Sequence, residues 1–204
     1  LILHKVLGLE YYHIFGVLDG HGQNGHFVSN FIKLYFTEYF NNQIAYKVSE
    51  MTPSELYDFL INDNYKFIRN AFRYVEEQLV KYKIDADYSG STCNLAIIIN
   101  DKLISANVGD SRAILVGENY GKNAKPNIIQ ISRDHKPDLK DEMTRIINSG
   151  GRIDKVTQNG LSSGPYRVFL RNENTPGLAM SRSIGDFIAA SIGVTSDPGR
   201  FSLI

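Results

Sequence analysis

A chain of 204 residues is long enough for one domain with a sizeable core, and its 22 Lys and Arg residues balance its 22 Asp and Glu residues. This balance argues against nucleic acid or an anionic membrane as the main partner. The single cysteine, Cys93, excludes an internal disulfide framework and is predicted to be a small core residue.

The ends of the chain and its apolar runs bear on where the protein works. The longest apolar runs are too short to cross a bilayer, and the first residues lack the layout of a secretory signal. We therefore expect an intracellular protein, cytoplasmic or nuclear, that does not bind membranes. The chain starts at Leu1 and stops within an apolar run, so we expect residues 1–204 to be a single domain that is incomplete at both ends.

The first informative stretch is a short apolar run that ends at Asp19. Ile14 to Leu18 predict a buried strand, and the residues that follow are Asp19, Gly20, His21 and Gly22. A carboxylate held at a strand end beside glycines suits hard-cation or phosphate chemistry, because backbone carbonyls can approach closely there. Taken alone, Asp19-Gly20 can equally be an ordinary turn.

Two helical stretches follow. Apolar residues recur with helical spacing from Phe27 to Phe40, which predicts an amphipathic helix packed on the sheet. Thr52-Pro53-Ser54-Glu55 has the spacing of a capping box with proline at the first helical position. It predicts a long helix that reaches Leu79 and breaks near residues 62–64.

Beyond Gly90 the pattern becomes that of strands. Thr92 to Ile99, Leu103 to Val108 and Arg112 to Val116 predict an antiparallel meander joined by tight turns. After a polar loop at 117–126, the pattern predicts a strand at 128–132 and then a helix that is capped by Asp138 and ends at 150–151. Two further strands are predicted at 152–157 and 167–170, on either side of a loop at 158–165. These runs of strands favour an antiparallel α+β fold.

Four turns share one composition, because each follows an apolar run and places an acid beside glycine or histidine. They lie at 19–22, 109–112, 133–137 and 181–186. Singly, each can be an ordinary turn. In this order, with Gly-Ser-Thr at 90–92 and Arg-Ile-Ile-Asn-Ser-Gly-Gly-Arg-Ile at 145–153, they resemble the metal-dependent serine/threonine protein phosphatases of type 2C, the PPM family. Residues 167–177 look most like the plant and protist members, so we expect a eukaryotic source.

The resemblance implies a fold and an activity. Members of the family have a four-layer α/β/β/α sandwich of two antiparallel sheets between helices, with two Mn²⁺ or Mg²⁺ ions at one edge and in some members a third. Phosphoserine and phosphothreonine in proteins are hydrolysed by a hydroxide that bridges the two ions, without a covalent intermediate. Phosphorylated proteins would be the partners, and we expect a monomer.

The resemblance also assigns roles to individual residues. Asp19 would bridge the ions, Gly20 would lend its carbonyl oxygen, and His21 would protonate the leaving oxygen, unless it is only a hydrogen-bonded histidine at a strand end. Asp110 matches a ligand of the weaker third ion, although a turn-capping role fits it nearly as well. Six other residues match the family pattern without gaining a secure role: Thr92, Arg112, Asp134, His135, Arg182 and Asp186. Of these, we expect Arg112 and Arg182 to pair with buried acids or carbonyls.

Two parts of the family pattern are missing. An upstream arginine and Glu-Asp pair, and a downstream Asp-Gly-hydrophobic-Trp-Asp block with a later Asn-Asp, have no counterpart in these 204 residues. Most metal ligands and the phosphate-binding arginine would lie in those blocks. Two hypotheses remain: the chain is most of the core of an active phosphatase, or it is a non-catalytic phosphatase-like interaction module.

Overall fold

The computed structural model describes residues 1–3, 5–42, 45–48, 50–117, 126–158 and 161–203. In chain order the strands are β1 (Ile2–Leu3), β2 (Tyr12–Val17), β3 (Gly20–His21), β4 (Gly90–Ser91), β5 (Cys93–Ile99), β6 (Lys102–Val108), β7 (Ile114–Gly117), β8 (Asn127–Gln130), β9 (Gly151–Gln158), β10 (Leu161–Leu170), β11 (Pro176–Leu178), β12 (Ile184–Gly185) and β13 (Gly199–Leu203). The helices are α1 (Gly25–Asn42), α2 (Ala45–Val48), α3 (Pro53–Lys81), α4 (Lys140–Asn148) and α5 (Phe187–Ala190).

A five-stranded sheet in the order β1-β2-β5-β6-β13 is the largest in the described part of the chain. Smaller sheets have the orders β11-β10-β9, β12-β4-β3 and β7-β8, and all of these strand pairs are antiparallel. The predicted α+β class with antiparallel sheets is therefore confirmed. No helix in the described ranges is long and apolar enough to cross a membrane.

Helices α1 and α3 cover one face of the large sheet. Val28, Ile32, Phe36 and Phe40 of α1 are fully buried and share one core with the inward residues of β2, β5 and α3. The predicted capping box is present, because Thr52 Oγ1 accepts a hydrogen bond from the Glu55 N–H and Glu55 Oε2 accepts one from the Thr52 N–H. The predicted break is also present, since residues 62–65 have non-helical backbone angles. Cys93 is buried as predicted.

A second, smaller core lies between α4, α5 and the β9–β11 sheet. It is formed by buried apolar side chains from five segments of the chain: Ile146, Val168, Leu178, Met180, Ala189, Ile192 and Val194. Gly109 and the residues after it leave the large sheet, and the chain builds this second unit before β13 returns to pair with β6. The molecule therefore has two apolar centres joined by polar segments.

Three local predictions were wrong. The strand at 114–117 pairs with β8 and not with β6, because β13 occupies that edge of β6 along five residue pairs. Helix α4 begins at Lys140 with Leu139 as its N-cap and without a side-chain capping bond, so Asp138 is not the cap. The described part of the expected loop at 158–165 is strand, because β9 ends at Gln158, β10 starts at Leu161, and a register shift after Ser163 accommodates Gly164 and Pro165. Residues 159–160 lie outside the described residues. Residues 118–125 of the other expected loop lie outside the described residues.

Candidate active site

Asp19 lies where the chain passes from the large sheet to a small one. Strand β2 ends at Val17, and β3 begins at Gly20 and pairs with β4. The Asp19 N–H donates to Thr92 Oγ1 at 3.0 Å, and the Thr92 N–H donates to the Asp19 carbonyl oxygen at 3.0 Å. Asp19 and Gly20 therefore connect two sheets rather than close a hairpin, and Thr92 fixes the backbone beneath the carboxylate.

The Asp19 carboxylate is available for a ligand. The residue is exposed, and its side chain makes no hydrogen bond or ion pair with any described residue. Gly20 is exposed as well, and a side chain at this position would overlap the carbonyl oxygen of Gly25. Glycine is thus required for the chain to turn from Asp19 toward α1.

His21 and Asp186 form a hydrogen-bonded pair. The distance between His21 Nε2 and Asp186 Oδ2 is 2.5 Å, and Asp186 is 2% exposed. The carboxylate lies at the start of α5, where the Asp186 N–H donates to the Ser89 carbonyl oxygen. His21 Nδ1 is also buried and makes no well-aligned hydrogen bond to a described residue. His21 is therefore oriented through one nitrogen, which leaves the other uncommitted.

The surroundings of His21 favour its protonated form. Burial lowers the pKa of the imidazole, but the hydrogen bond and charge of Asp186, with the carbonyl and carboxylate of nearby Asp19, outweigh it and raise the pKa above its ordinary value. The protein thus places a histidine that readily carries a proton next to the exposed carboxylate.

Gly90 makes the pair possible. Strand β4 lies between β3 and β12, so Gly90 pairs with His21 on one side and with Gly185 on the other. A Cβ atom at Gly90 would overlap Asp186 Oδ2 and come within 2.6 Å of Ser183 Oγ. The small sheet can therefore bring the two side chains together only with glycine at this position.

A cavity of about 260 Å³ opens beside the pair. It is lined by His21, Gly22, Asp186, Arg167 and the residues of 176–180. A larger cavity of about 430 Å³ is lined by Gln130 to Arg133, His135, Arg182, Gly199 and Arg200, and contains none of the predicted catalytic or metal residues. The smaller cavity is the better candidate for substrate, because it meets the histidine.

Comparison with known proteins identifies the family. The family model described as protein phosphatase 2C matches residues 8–199. The chain belongs to the PP2C family. It is 35% identical over 201 residues to probable protein phosphatase 2C 35 of Arabidopsis thaliana and 33% identical over 202 residues to probable protein phosphatase 2C 61 of the same plant. These alignments cover 91% and 97% of this chain but 53% and 56% of the relatives, so the chain spans about half of their length.

A solved structure supports the fold. The chain is similar to a serine-threonine phosphatase 2C from Toxoplasma gondii, with a TM-score of 0.78 and 22% identity, over 98% of this chain and 66% of that one. This similarity shows that the two chains share a fold.

The residues present fit part of a metal centre. An exposed carboxylate without a protein partner, next to an exposed glycine, offers oxygen donors of the kind that Mg²⁺ and Mn²⁺ prefer. Within the described ranges, however, no three His, Cys, Asp or Glu side chains are grouped so that they could hold an ion. Asp19 and Gly20 can therefore supply two ligands, and the described residues do not complete the set.

Asp110 does not present a free carboxylate. Its Oδ2 accepts a short hydrogen bond from Lys136 Nζ, and both side chains are partly exposed. One carboxylate oxygen of Asp110 is therefore already paired with a cation, and its role at a third metal ion stays a prediction. No hydrogen bond of the Asp110 side chain to its own turn is found among the described residues, so the capping alternative gains no support either.

The remaining matched residues hold the structure around the site. Arg182 binds the fully buried Glu142, with 2.5 Å between Nη2 and Oε1, as expected for the partner of a buried acid. Arg112 forms a two-pronged pair with Asp134, but Asp134 is only partly buried and Arg112 is exposed. His135 is buried, and its Nδ1 accepts from the Gly109 N–H at 3.2 Å.

Sequence reasoning missed two residues near these motifs. Glu142, which is bound by Arg182, Arg145 and Ser181, was not identified from the sequence. Arg167 was noted only as part of a strand, yet it lines the cavity at His21. The signal that could have indicated Glu142 is an acid on the apolar side of a helix, while nothing local distinguishes Arg167.

Proposed function

We propose that the protein containing this chain hydrolyses phosphoserine and phosphothreonine esters in other proteins and requires Mn²⁺ or Mg²⁺. The observation that carries the proposal is the His21–Asp186 pair, which lies two residues from an exposed, backbone-anchored Asp19 and borders a cavity. Membership of the PP2C family supports the same activity. The proposed substrates are phosphorylated proteins, and a monomer in the cytoplasm or nucleus remains our expectation.

Each residue of the site has a distinct task in this proposal. Thr92 holds the Asp19 backbone, so the carboxylate keeps its position at the strand end. Cations bound by Asp19 and the Gly20 carbonyl would supply Lewis acidity and lower the pKa of water there. Water attacks phosphorus, the bond to the serine or threonine oxygen breaks, and inorganic phosphate and a free hydroxyl side chain result.

His21 supplies the proton that the leaving oxygen needs. Asp186 holds Nε2, so the uncommitted proton of the charged ring is the one on Nδ1. Nδ1 is covered in this structure, so it must become accessible when substrate occupies the cavity. General acid catalysis of this kind contributes about 10²- to 10⁴-fold.

The test compares the 204-residue chain with a form extended at both ends. We expect the extended form to release phosphate from a phosphothreonine peptide with Mn²⁺ or Mg²⁺, and to lose activity with chelator. Turnover by neither form would contradict the enzyme and favour the non-catalytic module, for which the incomplete ligand set is the supporting observation.

The role of Asp19 has its own test in the extended form. Asp19→Asn keeps the size of the side chain but removes its charge, and we expect turnover to fall by at least about 100-fold. The matched control is Asp58→Asn, since Asp58 is an exposed residue of α3. Activity of Asp19→Asn within a few-fold of the parent would show that Asp19 does not hold the cations.

A further inference from the structure

The cavity beside the His21–Asp186 pair contains a positive charge that the mechanism does not use. Arg167 lies on β10, and its Nη1 donates to the Gly177 carbonyl oxygen at 2.6 Å. Its Nε is buried and has no hydrogen-bond partner among the described residues. No described acid forms an ion pair with it, whereas Arg112, Arg145 and Arg182 each have one.

A buried guanidinium N–H without an acceptor is unfavourable. Leaving a buried donor unsatisfied costs free energy, and the cost is larger for a charged group. Guanidinium groups bind carboxylates and phosphates through paired N–H donors, and one of these donors is unused here. Because Arg167 lines the cavity, an anion that enters it would meet a guanidinium charge that no described acid neutralises.

The cavity is shaped for more than a lone anion. Its volume of about 260 Å³ corresponds to roughly eight or nine water molecules at ~30 Å³ each. Pro176, Leu178 and Met180 line it with apolar surface, and Leu178 and Met180 belong to the second core. An apolar wall with the Arg167 guanidinium, away from the His21–Asp186 pair in which the charges offset each other, suits a side chain that has an apolar stem and an anionic end.

We propose that Arg167 and residues 176–180 form a specificity subsite for an acidic side chain of the substrate, a carboxylate or a second phosphate, near the phosphorylated residue that is hydrolysed. This inference rests on the proposed function, because it assigns the cavity to the same substrate whose leaving oxygen is protonated by His21. Arg167 acts in substrate binding and takes no part in bond breaking.

The experiment measures kcat/KM of the extended protein on phosphothreonine peptides in which one Glu or phosphoserine is moved through the flanking positions, each against its Gln or Ser counterpart. We expect at least one position at which the acidic peptide is about tenfold better. A larger preference for Glu at that position indicates a carboxylate as the natural ligand, and a larger preference for phosphoserine indicates a second phosphate. No preference at any position would overturn the subsite.

Variants tie the preference to Arg167. Arg167→Met should reduce it to less than twofold. Arg171→Met is the matched control, since Arg171 is exposed at the end of the same strand, and should keep the preference. A preference that survives in Arg167→Met, or one that is also lost in Arg171→Met, would overturn the proposal.

Two further measurements separate this inference from folding defects and from the proposed function. Arg167→Lys retains the cation and should keep part of the preference, at a Tm close to that of the parent. Fluorescence anisotropy with labelled, unphosphorylated peptides reports binding without turnover. If the Glu peptide binds more tightly than the Gln peptide and this difference is lost in Arg167→Met, the subsite is supported even if no form is a phosphatase. Equal binding of both peptides to the parent protein overturns it.

Discussion

At the scale of single residues, the proposed chemistry depends on a contact between side chains 165 positions apart. Asp186 is buried and bonds only one nitrogen of His21, so it can orient the ring and stabilise its charged form. At 2% exposure and bonded to Nε2, Asp186 acts through the histidine. Its removal should therefore affect the proton donor selectively.

This selectivity gives a prediction for Asp186→Asn in the extended protein. We expect kcat on a phosphoserine peptide to fall by about 10- to 100-fold, because the serine alkoxide needs a proton to leave. The rate on p-nitrophenyl phosphate should fall by less than about threefold, since p-nitrophenolate leaves without protonation. His21→Gln should show the same asymmetry. An equal loss on both substrates in both variants would mean that the pair maintains the structure rather than donates a proton.

At the scale of elements, the small sheet β3-β4-β12 assembles the pair. Gly90→Ala should place a methyl group against Asp186 Oδ2 and Ser183 Oγ. We expect a loss of about 1–3 kcal/mol in the free energy of unfolding, together with a lower kcat, because the Asp186 carboxylate must move. Urea unfolding and peptide turnover measure the two effects.

Gly117→Ala is the control for this substitution. Gly117 is also a strand glycine, in β7, but its nearest neighbour to an added Cβ would be Asn127 at 3.8 Å, an ordinary contact. We expect its stability to change by no more than about 0.5 kcal/mol. If Gly90→Ala behaved like Gly117→Ala, the close packing of β4 against Asp186 would not be needed for the pair.

The elements that the sequence predicted correctly are those with local signals. The stripe of α1, the capping box of α3 and the β5–β6 hairpin each depend on residues close together in the chain. Strands β3, β4 and β12 have two residues each, too few for an alternating pattern, and they form only by pairing across long distances. The partner of β7 was mispredicted for the same reason, since β13 comes from the far end of the chain.

The candidate site divides in the same way. Asp19, Gly20 and His21 are recognisable because they form one short motif, and the family resemblance added their expected roles. The role of Asp186 at His21, of Lys136 at Asp110 and of Arg167 in the cavity follows from contacts between distant segments. A single sequence contains all of these residues but does not show which of them contact each other.

At the scale of the whole molecule, a polar network joins the two apolar cores. Glu142 is fully buried and binds Arg145, Arg182 and Ser181, so although its burial acts to raise the pKa, these donors hold it well below the usual value. Arg182 Nη1 also donates to the carbonyl oxygen of Asp197, two residues before β13. Breaking such a network by removing one charge leaves another buried without its partner.

His135 lies in the same junction and should make the stability of the molecule depend on pH. Burial and the charge of Arg182 lower its pKa to about 4, while Glu142 opposes this shift. Its Nδ1 accepts the Gly109 N–H, so protonation would break that bond. The unfolded chain, with a pKa near 6.5, binds the proton first as the pH falls. Stability from this residue is therefore fully present above pH 6.5 and is lost as the pH falls toward 4.

We expect the contribution of His135 to the free energy of unfolding, without divalent ions, to decrease by about 1.5 kcal/mol between pH 6.5 and pH 5, with a slope that approaches roughly 1.4 kcal/mol per pH unit below pH 6. Urea unfolding at closely spaced pH values measures this slope. His135→Asn should be less stable at pH 7 but should lose most of the slope, because it cannot titrate. His26→Gln, at an exposed position of α1, should keep the slope of the parent. A slope unchanged in His135→Asn would place the proton uptake elsewhere and would contradict a neutral His135 in the junction.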